Sequence, residues 1–116
     1  MEYLTTEQIK ELCWLQHKLV VYGVMLKRMK FAYTQDEINE MFDDIRFRSQ
    51  AEKCQDDLEA LVEKYGEEKV KNTFTNKELL SSPENRFTFE EQRRCTKEAI
   101  GEELTLEEFI EKYGEV

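Results

Sequence analysis

Apolar residues recur along the first third of the chain at steps of 3, 4, 3, 4, 3 and 4: Leu12, Leu15, Leu19, Tyr22, Leu26, Met29 and Tyr33. That spacing is the seam of a heptad pattern and puts all seven on one side of a helix. Ile9, Cys13, Val20, Val24 and Phe31 lie beside the seam, and Trp14, Val21 and Met25 widen the apolar arc. A helix apolar over so much of its circumference is either the central helix of a bundle or is covered by a partner. A second stripe, Phe47, Ala51, Cys54, Leu58, Leu61 and Tyr65, steps by 4, 3, 4, 3 and 4. An earlier set, Ile38, Met41, Phe42 and Ile45, is out of phase with it around Arg46. This predicts a kink there, or two halves facing different neighbours.

The helix starts share one grammar: an apolar residue, Thr, two residues, then Glu or Gln, usually followed by another apolar residue. It occurs at Leu4-Thr5, Tyr33-Thr34, Phe74-Thr75, Phe87-Thr88 and Leu104-Thr105, and only the Thr88 copy lacks the final apolar residue. A helix leaves its first four N–H groups without intrahelical partners. The Thr hydroxyl takes one of them, and the Glu or Gln three residues on reaches back to another. The threonines are 29, 41, 13 and 17 residues apart, so no repeat period exists and the motif reads as capping. Helix ends agree: Glu-Lys-Tyr-Gly-Glu occurs at 63–67 and again at 111–115, and Gly101 precedes Thr105. Glycine just past a helix is the usual left-handed stop. The expected helices cover about 6–32, 35–65, 67–72, 76–80, 89–100 and 106–113, with a loop over 81–85 and no convincing strand. Gly23 interrupts the first helix, at a cost of about 1 kcal/mol relative to Ala, unless a neighbouring backbone needs the space.

The expected fold is therefore all-α. It is a compact helical bundle in one domain over 1–116, built on a long antiparallel hairpin of about 6–65 with shorter helices over about 67–113. Composition supports this. Among 116 residues, 40% are hydrophobic and 37% charged, with four Gly and one Pro, too few turn formers for a sandwich or barrel. The longest apolar run, eight residues from Leu19 to Leu26, is far short of the roughly 20 that a membrane span needs. The first residues carry no secretory signal pattern.

The net charge is −9 and uneven. Residues 1–33 sum to +2, residues 34–66 to −6 and residues 67–116 to −5. Direct binding to nucleic acid or to an anionic membrane is disfavoured, while a basic protein partner suits the charge. Cys13, Cys54 and Cys95 are odd in number and far apart, with no CxxC or zinc spacing. They read as buried, reduced thiols of a cytoplasmic protein.

Candidate chemistry is thin. His17, the only histidine, follows Cys13 by four residues, so both share a helix face. Zinc needs at least three protein ligands, and a Cys–His nucleophile pair needs an orienting group; neither is evident. Paired acids such as Asp43-Asp44, Asp56-Asp57 and Glu90-Glu91 fall on predicted exposed faces, and the glycines are isolated, so no phosphate cradle forms. The reading is a non-enzymatic domain with no catalytic residue, cofactor or metal. It docks on a protein partner to block or recruit it, and its small size and acidic, helical composition fit a protein encoded by a phage or mobile element. The candidate contact residues are Trp14 and Tyr22 on the first helix and Asp36, Glu37, Glu40, Asp43 and Asp44 at the start of the second. Two alternatives stand beside it. One is an acidic nucleic-acid mimic that inhibits a DNA- or RNA-binding enzyme. The other is a structural homodimer joined through the first helix.

Overall fold

The computed structural model describes residues 2–32 and 42–114, with side chains over 2–27 and 47–114. The elements are α1 (Thr6–Ala32), α2 (Phe42–Tyr65), α3 (Glu67–Phe74), α4 (Lys77–Ser81), a 3-10 turn (Pro83–Asn85), α5 (Phe89–Ile100) and α6 (Leu106–Tyr113). No strand occurs among the described residues. The fold is all-α, as the sequence predicts.

α1 is the central helix. It packs against α2, α5 and α6 and touches the 3-10 turn. Tyr22 donates its hydroxyl to Gln50 while Tyr65 donates to Glu11, so α1 and α2 run antiparallel. These several neighbours cover most of the broad apolar arc of α1. On the heptad seam, Leu12 and Tyr22 are buried and Leu15, Leu19 and Leu26 pack beside them, with Phe47, Cys54, Leu58 and Leu61 contributed by α2. Off the seam, Val21 is fully buried in the same cluster as Ala99 of α5 and Phe109 of α6. A second cluster, around Leu4, Ile9 and Leu12, closes the other end of the molecule with Val70 and Leu80.

Local grammar places the ends. Thr5 and Gln8 exchange both capping bonds, at 3.0 and 3.2 Å. Thr88 with Glu91 and Thr105 with Glu108 form complete capping boxes. Leu4 and Ile9, the staple pair of α1, are buried in one cluster. Gln92 stands where the Thr88 motif lacks its apolar residue. Its amide donates to the Phe87 carbonyl and accepts the Leu106 N–H, tying the start of α6 to α5. The Thr34 copy lies outside the described residues.

The Thr75 copy departs from expectation. Thr75 ends α3, its hydroxyl donating to the Lys71 carbonyl at 2.7 Å, and Asn76 caps α4 by accepting the Leu79 N–H at 3.1 Å. Asn is the better cap, and shifting the start by one residue frees the Thr hydroxyl to close the preceding helix. Gly66 and Gly101 are left-handed, at φ 99° and 82°, but Gly114 stays right-handed at −74°. Gly23 has no atom within 4 Å of where a Cβ would stand, so no close helix approach explains it. The out-of-phase stripe before Arg46 lies outside the described side chains.

Residues 81–85 are pinned rather than loose. Asn85 is buried, accepting a hydrogen bond from Thr6 Oγ1 at 2.6 Å and donating to the Leu79 carbonyl at 2.9 Å. This joins the first turn of α1 to the segment that leads into α5.

Candidate docking groove

The caps and the two clusters leave one face of the first half of α1 uncovered between α2 and the start of α5. Glu7, Glu11 and Trp14 fall on this face at helical spacing. Here lies a groove of about 680 Å³, with Trp14 and Leu15 of α1 and Ala60 and Leu61 of α2 as its apolar floor. Glu7 and Glu11, Asp57 and Glu91 stand around it, with Lys10 the one cation among the lining residues.

Trp14 is half-buried, and its ring meets that of Phe87 edge-on, with centroids 6.3 Å apart and planes at 86°. The Trp14 backbone is also held, its carbonyl accepting from Cys95 Sγ at 3.4 Å. At one edge of the groove Lys10 and Glu91 form an ion pair of 2.7 Å. Partial burial pushes the Glu91 carboxyl up. The Lys10 ammonium and the Thr88 N–H and hydroxyl outweigh that and hold it below the ordinary carboxylate value. Glu91 is thus neutralised by a partner of its own. Glu11 accepts from the Tyr65 hydroxyl, and Asp57 meets Lys53 at 3.1 Å on an exposed surface. Glu7 has no ion pair among the described residues.

Of the residues singled out in the sequence, Trp14 lies where a partner can reach it. Tyr22 does not. It is 1% exposed, its hydroxyl is bonded to Gln50 at 2.6 Å, and its ring packs near Phe47. It is a core residue because it sits on the seam that faces α2, and its side chain is not open to a partner. Asp36, Glu37 and Glu40 lie outside the described residues, and Asp43 and Asp44 fall in α2 where side chains are not described. Of the carboxylates that do surround Trp14, Asp57 and Glu91 stand in the sequence only as members of surface acid pairs, and Glu7 and Glu11 are not among the expected contacts. Glu7 and Glu11 carry a detectable signal, spaced i, i+4 on the Trp14 face, but Glu91 is far away in sequence and only the packing of α5 brings it near.

Cys13 and His17 do not act as a pair. His17 is 6% exposed and its Nε2 lies 2.8 Å from Thr96 Oγ1. Burial alone lowers its pKa from the ordinary 6.5. Cys13 lines a second, apolar groove of about 490 Å³ with Leu58, Val70 and Phe74. All three cysteines are free, and burial pushes the Cys95 thiol up to about 12. Among the described residues no three His, Cys, Asp or Glu side chains are placed to hold a metal ion, and no helix is long and apolar enough to cross a membrane.

No protein-family model, curated protein or solved structure matches the chain.

Proposed function

We propose that this protein is a non-enzymatic interaction domain that docks on a protein partner through the Trp14 groove, to block or recruit that partner. The observation that carries this reading is a partly exposed tryptophan set in a concave groove that is rimmed by carboxylates. The described side chains leave no buried polar atom without a partner, yet Trp14 and Leu15 remain open. Tryptophan in a concave site is the residue type that most often dominates interface energy. The three free thiols suit a reducing, cytoplasmic setting. The seam once open to a second copy is filled by α2, so a homodimer draws no support from it.

The test is capture from nuclease-treated lysate of the native host with wild type and Trp14→Ala, washed at low and high salt. A partner held by wild type and lost by Trp14→Ala supports the reading. Equal capture by both overturns it.

The acidic-mimic alternative is favoured by a different surface. Glu52, Asp56, Glu59 and Glu63 are all exposed along α2 at helical spacing. Helix rise puts successive members about 4.5–6 Å apart along the axis. That reading expects the partner to be displaced by DNA or RNA and lost on Asp56→Lys with Glu59→Lys, whatever happens at Trp14.

A further inference from the structure

The groove has a charge that its own residues do not balance. Four carboxylates and one ammonium line it, and the ammonium, Lys10, is already taken by Glu91. Glu7, Glu11 and Asp57 are left around an apolar floor that holds Trp14. Lys18, one turn beyond Trp14, bonds Glu98 at 2.9 Å, and Lys53 reaches Asp57 from an exposed position outside the groove lining. Neither lies among the lining residues.

Resting on the docking reading above, we propose that the partner inserts an arginine of a basic segment into this groove. The guanidinium lies against Trp14, and Glu7, Glu11 and Asp57 surround it. An anionic apolar floor suits arginine better than other side chains. Its methylene stem covers Leu15 and Leu61, and its planar guanidinium is weakly hydrated. That group stacks on aromatic rings and also bonds carboxylates in forked pairs. Lysine carries the charge but not the fork, and an uncharged side chain leaves Glu7 and Glu11 without a cation.

Trp14 is the only tryptophan in the chain, so its emission reports on the groove directly. The probe is a capped Ala-Arg-Ala-Arg-Ala peptide, with the same peptide carrying neutral citrulline in place of arginine as control. The arginine peptide is expected to shift Trp14 emission saturably and the citrulline peptide is not. Binding is expected to weaken about tenfold between roughly 50 and 500 mM salt, because the charges are near the surface. Glu7→Gln is expected to weaken it about fivefold or more, in the range of one charge-assisted contact. Glu111→Gln, an exposed change on α6 outside the groove, leaves it unchanged, which separates the groove from general attraction to an acidic protein.

Equal binding of both peptides, or equal loss with Glu7→Gln and Glu111→Gln, overturns the proposal. So does the absence of any emission change. If the arginine peptide fails while Trp14→Ala still loses the cellular partner, the groove docks an uncharged segment, and the broader reading stands without this one. If Trp14→Ala also keeps the partner, both fall.

Discussion

His17 Nε2 and Thr96 Oγ1 meet at 2.8 Å in the interior, where the two residues are 6% and 0% exposed. Thr96 also donates its hydroxyl proton to the Gln92 carbonyl one turn back, at 2.9 Å. A hydroxyl has one proton to give, so Thr96 accepts from His17, and His17 carries its proton on Nε2. The same device occurs at the other end of the molecule. Buried Thr73 donates to the Lys69 carbonyl and accepts the backbone N–H of Leu4, whose donor role is unambiguous. In both places a threonine bonded back into its own helix leaves lone pairs for a distant donor, fastening α1 or the segment before it to a later helix.

The neutral His17 predicts a pH dependence. Its folded pKa is lowered from 6.5 by burial, so below that value the unfolded chain binds a proton that the folded chain does not. Stability is full well above pH 6.5 and is lost as pH falls through and below it, with a slope of at most about 1.4 kcal/mol per pH unit. Glu91, Glu102 and Glu108 also have lowered values, but their loss begins lower, below the ordinary carboxylate value of 4.5. Urea unfolding from pH 7.5 to 5 should show the His17 slope in wild type and not in His17→Gln. Equal slopes in both proteins would assign the dependence elsewhere.

Asn85 predicts a larger single loss. Its side chain satisfies Thr6 and the Leu79 carbonyl at once, at 6% exposure. Asn85→Ala leaves that carbonyl without its donor and opens the link between α1 and the turn before α5. The expected cost is about 1–3 kcal/mol, read by chemical denaturation. Asn85→Asp keeps the acceptor toward Thr6 and removes the donor, so it should also destabilise. A loss below about 0.5 kcal/mol for Asn85→Ala would mean that water replaces these bonds without penalty.

Gly23 predicts a gain. It lies exposed within α1, and nothing stands within 4 Å of an added Cβ. Gly23→Ala removes backbone freedom from the unfolded chain without a clash. It should stabilise by about 0.5–1 kcal/mol, raising the melting midpoint by roughly 4 °C. Gly101→Ala is the contrasting variant, because Gly101 sits at φ 82° and a side chain there is strained. If both variants shift the midpoint in the same direction, backbone conformation does not set the sign.

These contrasts show which features could be read in the sequence. Helix class, the antiparallel hairpin and three capping boxes were legible because each depends on residues within one turn of one another. The Thr75 cap was misread by one position, since Thr75 and Asn76 are both competent and the choice depends on how α3 ends. The anchoring role of the loop at 81–85 was not legible, because Asn85 meets Thr6 only after the chain has folded. The groove was half legible. Trp14 stood out by type, but Glu91 and Asp57 join it only through the packing of α5 and α2 on α1.

Trp14 and Tyr22 therefore invite opposite outcomes, although both were expected on one contact face. Tyr22 lies on the seam and Trp14 beside it, and that offset places one ring in the core and the other in the groove. Tyr22→Phe removes only the hydroxyl bonded to Gln50, at 2.6 Å. It should cost about 0.5–1.5 kcal/mol of stability and leave partner capture and peptide binding as in wild type. Trp14→Ala should abolish capture. Its stability cost should fall below the roughly 3–5 kcal/mol typical of a buried Trp, because part of the ring already faces solvent. Binding is read by capture for both variants and stability by denaturation. A Tyr22→Phe protein that folds but no longer captures the partner would place the contact face on the seam and remove the groove from it.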